Sequence, residues 1–217
     1  MNWILCAMPD EANIIIEKYN LKKIKTYKEI SVYQWENIVL VKSGIGKIQA
    51  TMWTMILLQH WEFEKIINIW IAWNSWKQEN ALPWDVFLID KVIQHDIYLP
   101  FEWEHLNYAK WEIEICSKIN IEWIDFNIFD ESICATWDQF IDDNKVVKNI
   151  VKNHNAHVVE MEAFAFLSVL REFDLLNKAY VIKSVSDAAN EEARKAHESN
   201  LELAMQNGVK VLDVLLK

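Results

Sequence analysis

At 217 residues the chain has the length of one α/β domain and buries roughly 70% of its unfolded surface on folding. A formal net charge of −10 argues against nucleic acid and anionic membrane as partners, because both demand a basic face. Cys6, Cys116 and Cys134 stand apart with no CxxC pair, as expected of a reduced cytoplasmic protein; "MNWILCAM" has no basic leader, and no apolar run nears the ~18 residues of a membrane span.

In chain order, "WILCAM" is a short apolar strand and "PDEANIIIEKYN" a helix opened by Pro9 with acids in its first turn. The lysine-rich "KYNLKKIKTYK" reads as a solvated helix end and loop. "SVYQWENIVLVKS" reads as a hairpin, and Gly44 and Gly46 lead into a helix over 47–60. "KIINIWIA" is a buried strand, the fourth by this reading, "DVFLIDKVIQHDIY" a longer one and "IDFNIFDESICAT" another. A helix over 142–152, a strand at "HVVEM", a helix at "EAFAFLSVLREF", a strand at "KAYVIKSVS" and a helix over 189–216 complete the pattern. Near-continuous apolar strands alternating with helices imply a largely parallel sheet covered on both faces, in a single domain spanning 1–217.

One stretch resists this reading. "IAWNSWKQENALPWD" interleaves Trp73, Trp76 and Trp84 with Asn, Ser, Pro and Asp, the residues of turns. Turns usually ask for glycine, which accepts positive φ without steric penalty. The chain holds 12 Trp against 3 Gly, and every tryptophan lies between Trp3 and Trp137.

Ligands of such sheets bind beyond the carboxyl ends of the strands. Asp10 and Glu11 follow the first strand, Glu162 follows "HVVEM", and Asp187 follows "VIKSVS", so carboxylates from distant parts of the sequence converge at one rim. Other constellations fail. "SGIGKI" is too short for a Walker loop and has Ile48 where magnesium needs Ser or Thr. No GxSxG or HExxH occurs, and His154 and His157 lack neighbouring ligands, so neither a metal nor a cofactor is expected.

The segments "ILCAMPDEA", "KSGIGK", "INIWIAWN", "ATWDQFI", "VVEMEA" and "SVSDAA", in this order and spacing, resemble the nucleoside phosphorylase superfamily, and within it the 5′-methylthioadenosine/S-adenosylhomocysteine nucleosidases. The resemblance implies a three-layer αβα sandwich around a twisted mixed sheet. It implies a homodimer that hydrolyses adenine nucleosides with water as co-substrate, within methionine salvage. It makes Glu11 the base that activates water and Asp187, steered by Ser186, the acid that protonates the leaving adenine. Glu162 would hold the ribose hydroxyls, Phe140 would pack on the purine, and the backbone of Ile141 would read its edge. Ala7, Met8, Ile45, Ala72, Trp73, Val159, Glu160 and Met161 would line the pocket. Ile71 departs from the small Ser or Thr common there, and "QHDIYLPF", expected near the 5′ end and the dimer partner, matches poorly.

The same resemblance bears on the tryptophans. Trp3, Trp53, Trp70, Trp73, Trp84 and Trp137 fall where the family prefers glycine. A gene that spells glycine with UGA, translated by a table that reads UGA as tryptophan, yields this pattern; alternatively the tryptophans are real and crowd the pocket. A phosphorylase or other nucleosidase of the superfamily, and a non-catalytic nucleoside-binding protein, are the competing functional readings.

Overall fold

The computed structural model describes residues 1–28, 30–60, 62–75, 77–78, 80–97, 111–115, 117–121, 124–141, 143–188 and 193–217, with the side chains of 187–188 and 193–198 left out. Ten strands form one sheet: β1 (Asn2–Cys6), β2 (Lys22–Tyr27), β3 (Ile30–Trp35), β4 (Ile38–Lys42), β5 (Lys65–Asn74), β6 (Val86–Gln94), β7 (Glu112–Glu114), β8 (Ile128–Thr136), β9 (Val158–Glu160) and β10 (Ala179–Ala188). The helices are α1 (Pro9–Lys18), α2 (Lys47–Leu58), α3 (Asn144–His154), α4 (Ala163–Glu172) and α5 (Ala193–Leu216). None of the described helices is long and apolar enough to cross a membrane.

The strand order is β10-β6-β8-β9-β5-β1-β4-β3-β2, with β7 on β6 and β10 also paired to β5. That extra pairing closes β5, β10, β6, β8 and β9 into a ring. Register shifts in β10 between Val185 and Asp187, and in β6 on either side of Ile89, supply the bends that closure needs. The expectation of a largely parallel sheet is corrected: five pairings are parallel and five antiparallel. A mixed sheet, as the resemblance implied, is what forms.

Residues 22–27, read as loop, form the edge strand β2. Its residues are exposed or partly so, and its lysines blunt an edge that would otherwise template pairing with another chain. β5 is the central strand, buried along nearly its whole length, and it runs to Asn74, two residues beyond the expected end. Trp73 is therefore in a strand, and the turn belongs to Trp84, whose φ is 78°. α1 packs on α5, where Lys18 and Tyr19 both bond Asp213, and α2 packs on α4. α3, capped by the Asp143 side chain on the Lys145 N–H at 2.7 Å, sets Val147 and Ile150 against Trp73, Ala135 and Val159.

Trp3, Trp53, Trp70 and Trp73 are all buried, and their indole N–H groups have no partner among the described residues. A buried donor left unpaired costs about 1–3 kcal/mol.

Candidate active site

Glu11 occupies the third position of α1, where a carboxylate turns back to bond the amide that precedes the helix. Its Oε2 accepts from the Met8 N–H at 3.0 Å and its Oε1 from the Ile71 N–H at 3.3 Å. With 1% exposure, the group is aimed by β5 as well as by its own helix. The Cys6 thiol donates to Oε2 at 3.7 Å; burial, then the Glu11 charge, push that thiol up, so it is not a nucleophile.

Glu160 ends β9 at the mouth of α4. Its carboxylate accepts from the N–H of Glu162 at 3.0 Å and of Ala163 at 2.9 Å, from the Thr136 hydroxyl, and from Lys183 Nζ at 2.9 Å. Lys183 is wholly buried and also donates to Asn68 Oδ1 at 2.7 Å. With this many donors engaged, Glu160 is a brace at a helix N-terminus.

Glu162, two residues on, precedes the first turn of α4, and its Oε1 accepts from the Gly46 N–H at 2.6 Å. Burial first, and the charge of Glu160 second, push its pKa up to about 8, so it carries a proton at neutral pH. The amide that meets it is held in turn. Lys47, next to Gly46, places Nζ 2.6 Å from Asp96 and 3.5 Å from Asp138, and its own N–H donates to Asp138 at 2.8 Å.

Ala7, Met8, Glu11, Ile45, Trp73, Phe140, Glu160, Met161 and Glu162, all sequence candidates, line one cavity, joined by Trp70 and Ile71. Ala72, Ile141, Val159 and Ser186 are buried and are not among its lining residues. Asp187 lies on β10 with its backbone opposite Trp73; its side chain is outside the described residues, as are residues 98–101 of "QHDIYLPF". Lys183, Asn68 and Thr136 were missed. A lysine inside the apolar run "YVIKSV" was the available signal, since a buried ammonium demands an anion. Among the described residues no cluster of His, Cys, Asp or Glu is arranged to hold a metal.

The cavity holds about 100 Å³, short of the roughly 300–1,000 Å³ of ligand clefts. The Trp73 indole is part of its lining, edge-on to Phe140 with ring centroids 4.6 Å apart.

A family model described as the phosphorylase superfamily matches residues 3–217. The chain belongs to the phosphorylase superfamily. A superfamily relative, the 5′-methylthioadenosine/S-adenosylhomocysteine nucleosidase of Buchnera aphidicola, is 28% identical over 218 residues, covering 94% of this chain and 90% of that one. Among solved structures, the nucleosidase of that name from Colwellia psychrerythraea, in complex with adenine, superposes with a TM-score of 0.85 at 24% identity, covering 99% of this chain and 93% of that one. The futalosine hydrolase of Helicobacter pylori gives 0.81 at 20% identity, covering 99% and 96%. At such identities the solved structures speak to the superfamily fold.

Proposed function

We propose that this chain hydrolyses the N-glycosidic bond of adenine nucleosides of the 5′-methylthioadenosine and S-adenosylhomocysteine type, releasing adenine. The observation that carries this reading is the gathering of Glu11 and Glu162 with Phe140 around one cavity, with Asp187 on the adjoining strand. Cleavage passes through a transition state with oxocarbenium character. Asp187 gives a proton to the purine N7 as the bond from C1′ to N9 breaks. Glu11 takes a proton from the water whose oxygen bonds C1′ from the other face. Glu162 engages the ribose hydroxyls, and Phe140 packs on the base.

Water rather than phosphate as nucleophile is supported by the charge at the cavity. Glu11 lines it, and a carboxylate poised there to deprotonate water repels a phosphate dianion at the same face; Glu162, protonated at neutral pH, adds no charge. Lys183 is committed to Glu160 and Lys47 to Asp96 and Asp138. Of the two arginines, Arg171 pairs with Glu172 in the last turn of α4, and Arg194 is in α5.

The proposal extends to a cytoplasmic homodimer working in methionine salvage. Ile45, Ile48 and Met52 are exposed, Ile48 by 78%, on a face that borders the cavity through Ile45; a second copy covers that apolar patch. A monomer at micromolar concentration in sedimentation equilibrium contradicts the dimer.

The experiment is to time base release from methylthioadenosine, adenosylhomocysteine, adenosine and inosine. An acid at N7 whose other oxygen accepts from the 6-amino group favours adenine over hypoxanthine. Faster cleavage of inosine refutes the assignment of Asp187.

A further inference from the structure

Four places in the fold treat tryptophan as a misfit, one through the backbone and three through a buried indole N–H with no partner among the described residues. The sharpest is the turn before β6. The Asp85 N–H bonds the Leu82 carbonyl at 3.1 Å, closing a four-residue turn with Pro83 second and Trp84 third. Proline second and a φ near +80° third define a type II turn, which requires glycine or asparagine at the third place. Trp84 has φ 78°, whereas among the described residues the other positive-φ positions that are not glycine lie between 48° and 57°, and Gly44 lies at 84°. Relaxation is blocked on both sides, because the Trp84 N–H bonds the Val185 carbonyl at 2.6 Å and its own carbonyl accepts from Asn207 at 3.0 Å.

The second place is the cavity. The Trp73 indole stands edge-on to Phe140, and its N–H has no partner among the described residues. The third is the core at β1 and α2, where Trp3 and Trp53 are buried and their N–H groups have no partner among the described residues. The fourth is Trp70, whose ring covers Lys183 Nζ at 3.7 Å and also leaves its N–H unpartnered. Buried tryptophan N–H groups usually find a hydrogen-bond partner, and four without one among the described residues run against that pattern.

We infer that the protein made in its own host carries glycine at positions 3, 53, 70, 73 and 84, the codons being UGA read as glycine, and that glycine at 73 opens a slot beside Phe140 that the indole closes. The assignment at 84 stands on backbone geometry alone. The slot at 73 rests on the nucleosidase reading.

Two measurements test this separately. Peptide masses covering residues 65–77 and 81–91 of the protein purified from its host, with the codons alongside, read positions 70, 73 and 84 directly. Glycine at 73 and 84 is expected; tryptophan there, or UGG codons, overturns the inference whatever the enzyme does. In parallel, the printed chain and its W73G and W73G/W84G variants are compared for adenine binding by calorimetry and for adenine release. The expected result is that W73G binds adenine and gains about 10²-fold or more in rate, as when a blocked reacting geometry is restored. Equal binding and equal rates in folded W73G and the printed chain overturn the slot. Glycine in the peptides together with adenine binding but no nucleoside cleavage supports the inference and removes the proposed reaction instead.

Discussion

At the residue scale, two glutamates reach one cavity with different partners. Glu11 faces two amide donors, whereas Glu162 faces the Gly46 amide and the charge of Glu160. Glu11→Gln turns one acceptor oxygen into a donor opposite an N–H, so the variant loses about 1–3 kcal/mol yet stays folded. Its rate, and that of Asp187→Asn, falls about 10²–10⁴-fold; initial rates with a melting curve check both, and a near-parental rate removes that residue from the mechanism. Glu162 gives a pH signature. Its pKa is raised from 4.5 to about 8 in the folded state, so its contribution to stability is fully present below pH 4.5 and is lost as pH rises toward 8. Urea titrations at several pH values therefore show the stability of the parent relative to Glu162→Gln falling with pH inside that window, by at most about 1.4 kcal/mol per unit. A flat difference contradicts the shift. That Glu11 and Glu162 stand at this cavity was legible because each lies within three residues of the end of an apolar run. Lys183 was not, since its partners Asn68 and Glu160 are 115 and 23 residues away.

At the element scale, the loop before α2 is the joint between the acid cluster and the helices. Gly46 has φ 95°, and a Cβ there meets Asp138 Oδ1 at 3.2 Å. Gly46→Ala is strained on both counts and draws its N–H away from Glu162. The expected loss is about 1–3 kcal/mol, with KM raised more than kcat is lowered; unchanged stability and KM contradict this role. The helices were read closely from the sequence. Pro9 and the acids after it mark the start of α1, and Asp143 caps α3. Strands fared less well at their ends. β2 was hidden by its lysines, β7 is three residues long, and the last residues of β5 carry turn-like Asn74 after Trp73. Pattern identifies a buried strand, but its partners are settled by neighbours distant in sequence.

At the scale of the whole molecule, the ring of β5, β10, β6, β8 and β9 brings residues from both halves of the chain to one cavity. The alternation of strands and helices gave the α/β class, while the closing of the ring through β10 was not legible, since it depends on bulges whose placement no local pattern encodes. The resemblance to a family ordered the site residues along the chain; only the fold brings Glu11, Glu160 and Glu162 together and reveals how little room Trp73 leaves beside them. The central claim is that this acid-walled cavity directs water to C1′ of an adenine nucleoside. It is tested most directly by following adenine release from methylthioadenosine, with residue 73 as glycine, in phosphate-free buffer and then across a phosphate titration. Release without phosphate, at a rate that phosphate does not raise and with free methylthioribose as the other product, is the expected result. A rate that depends on phosphate, with a sugar 1-phosphate accumulating, contradicts it.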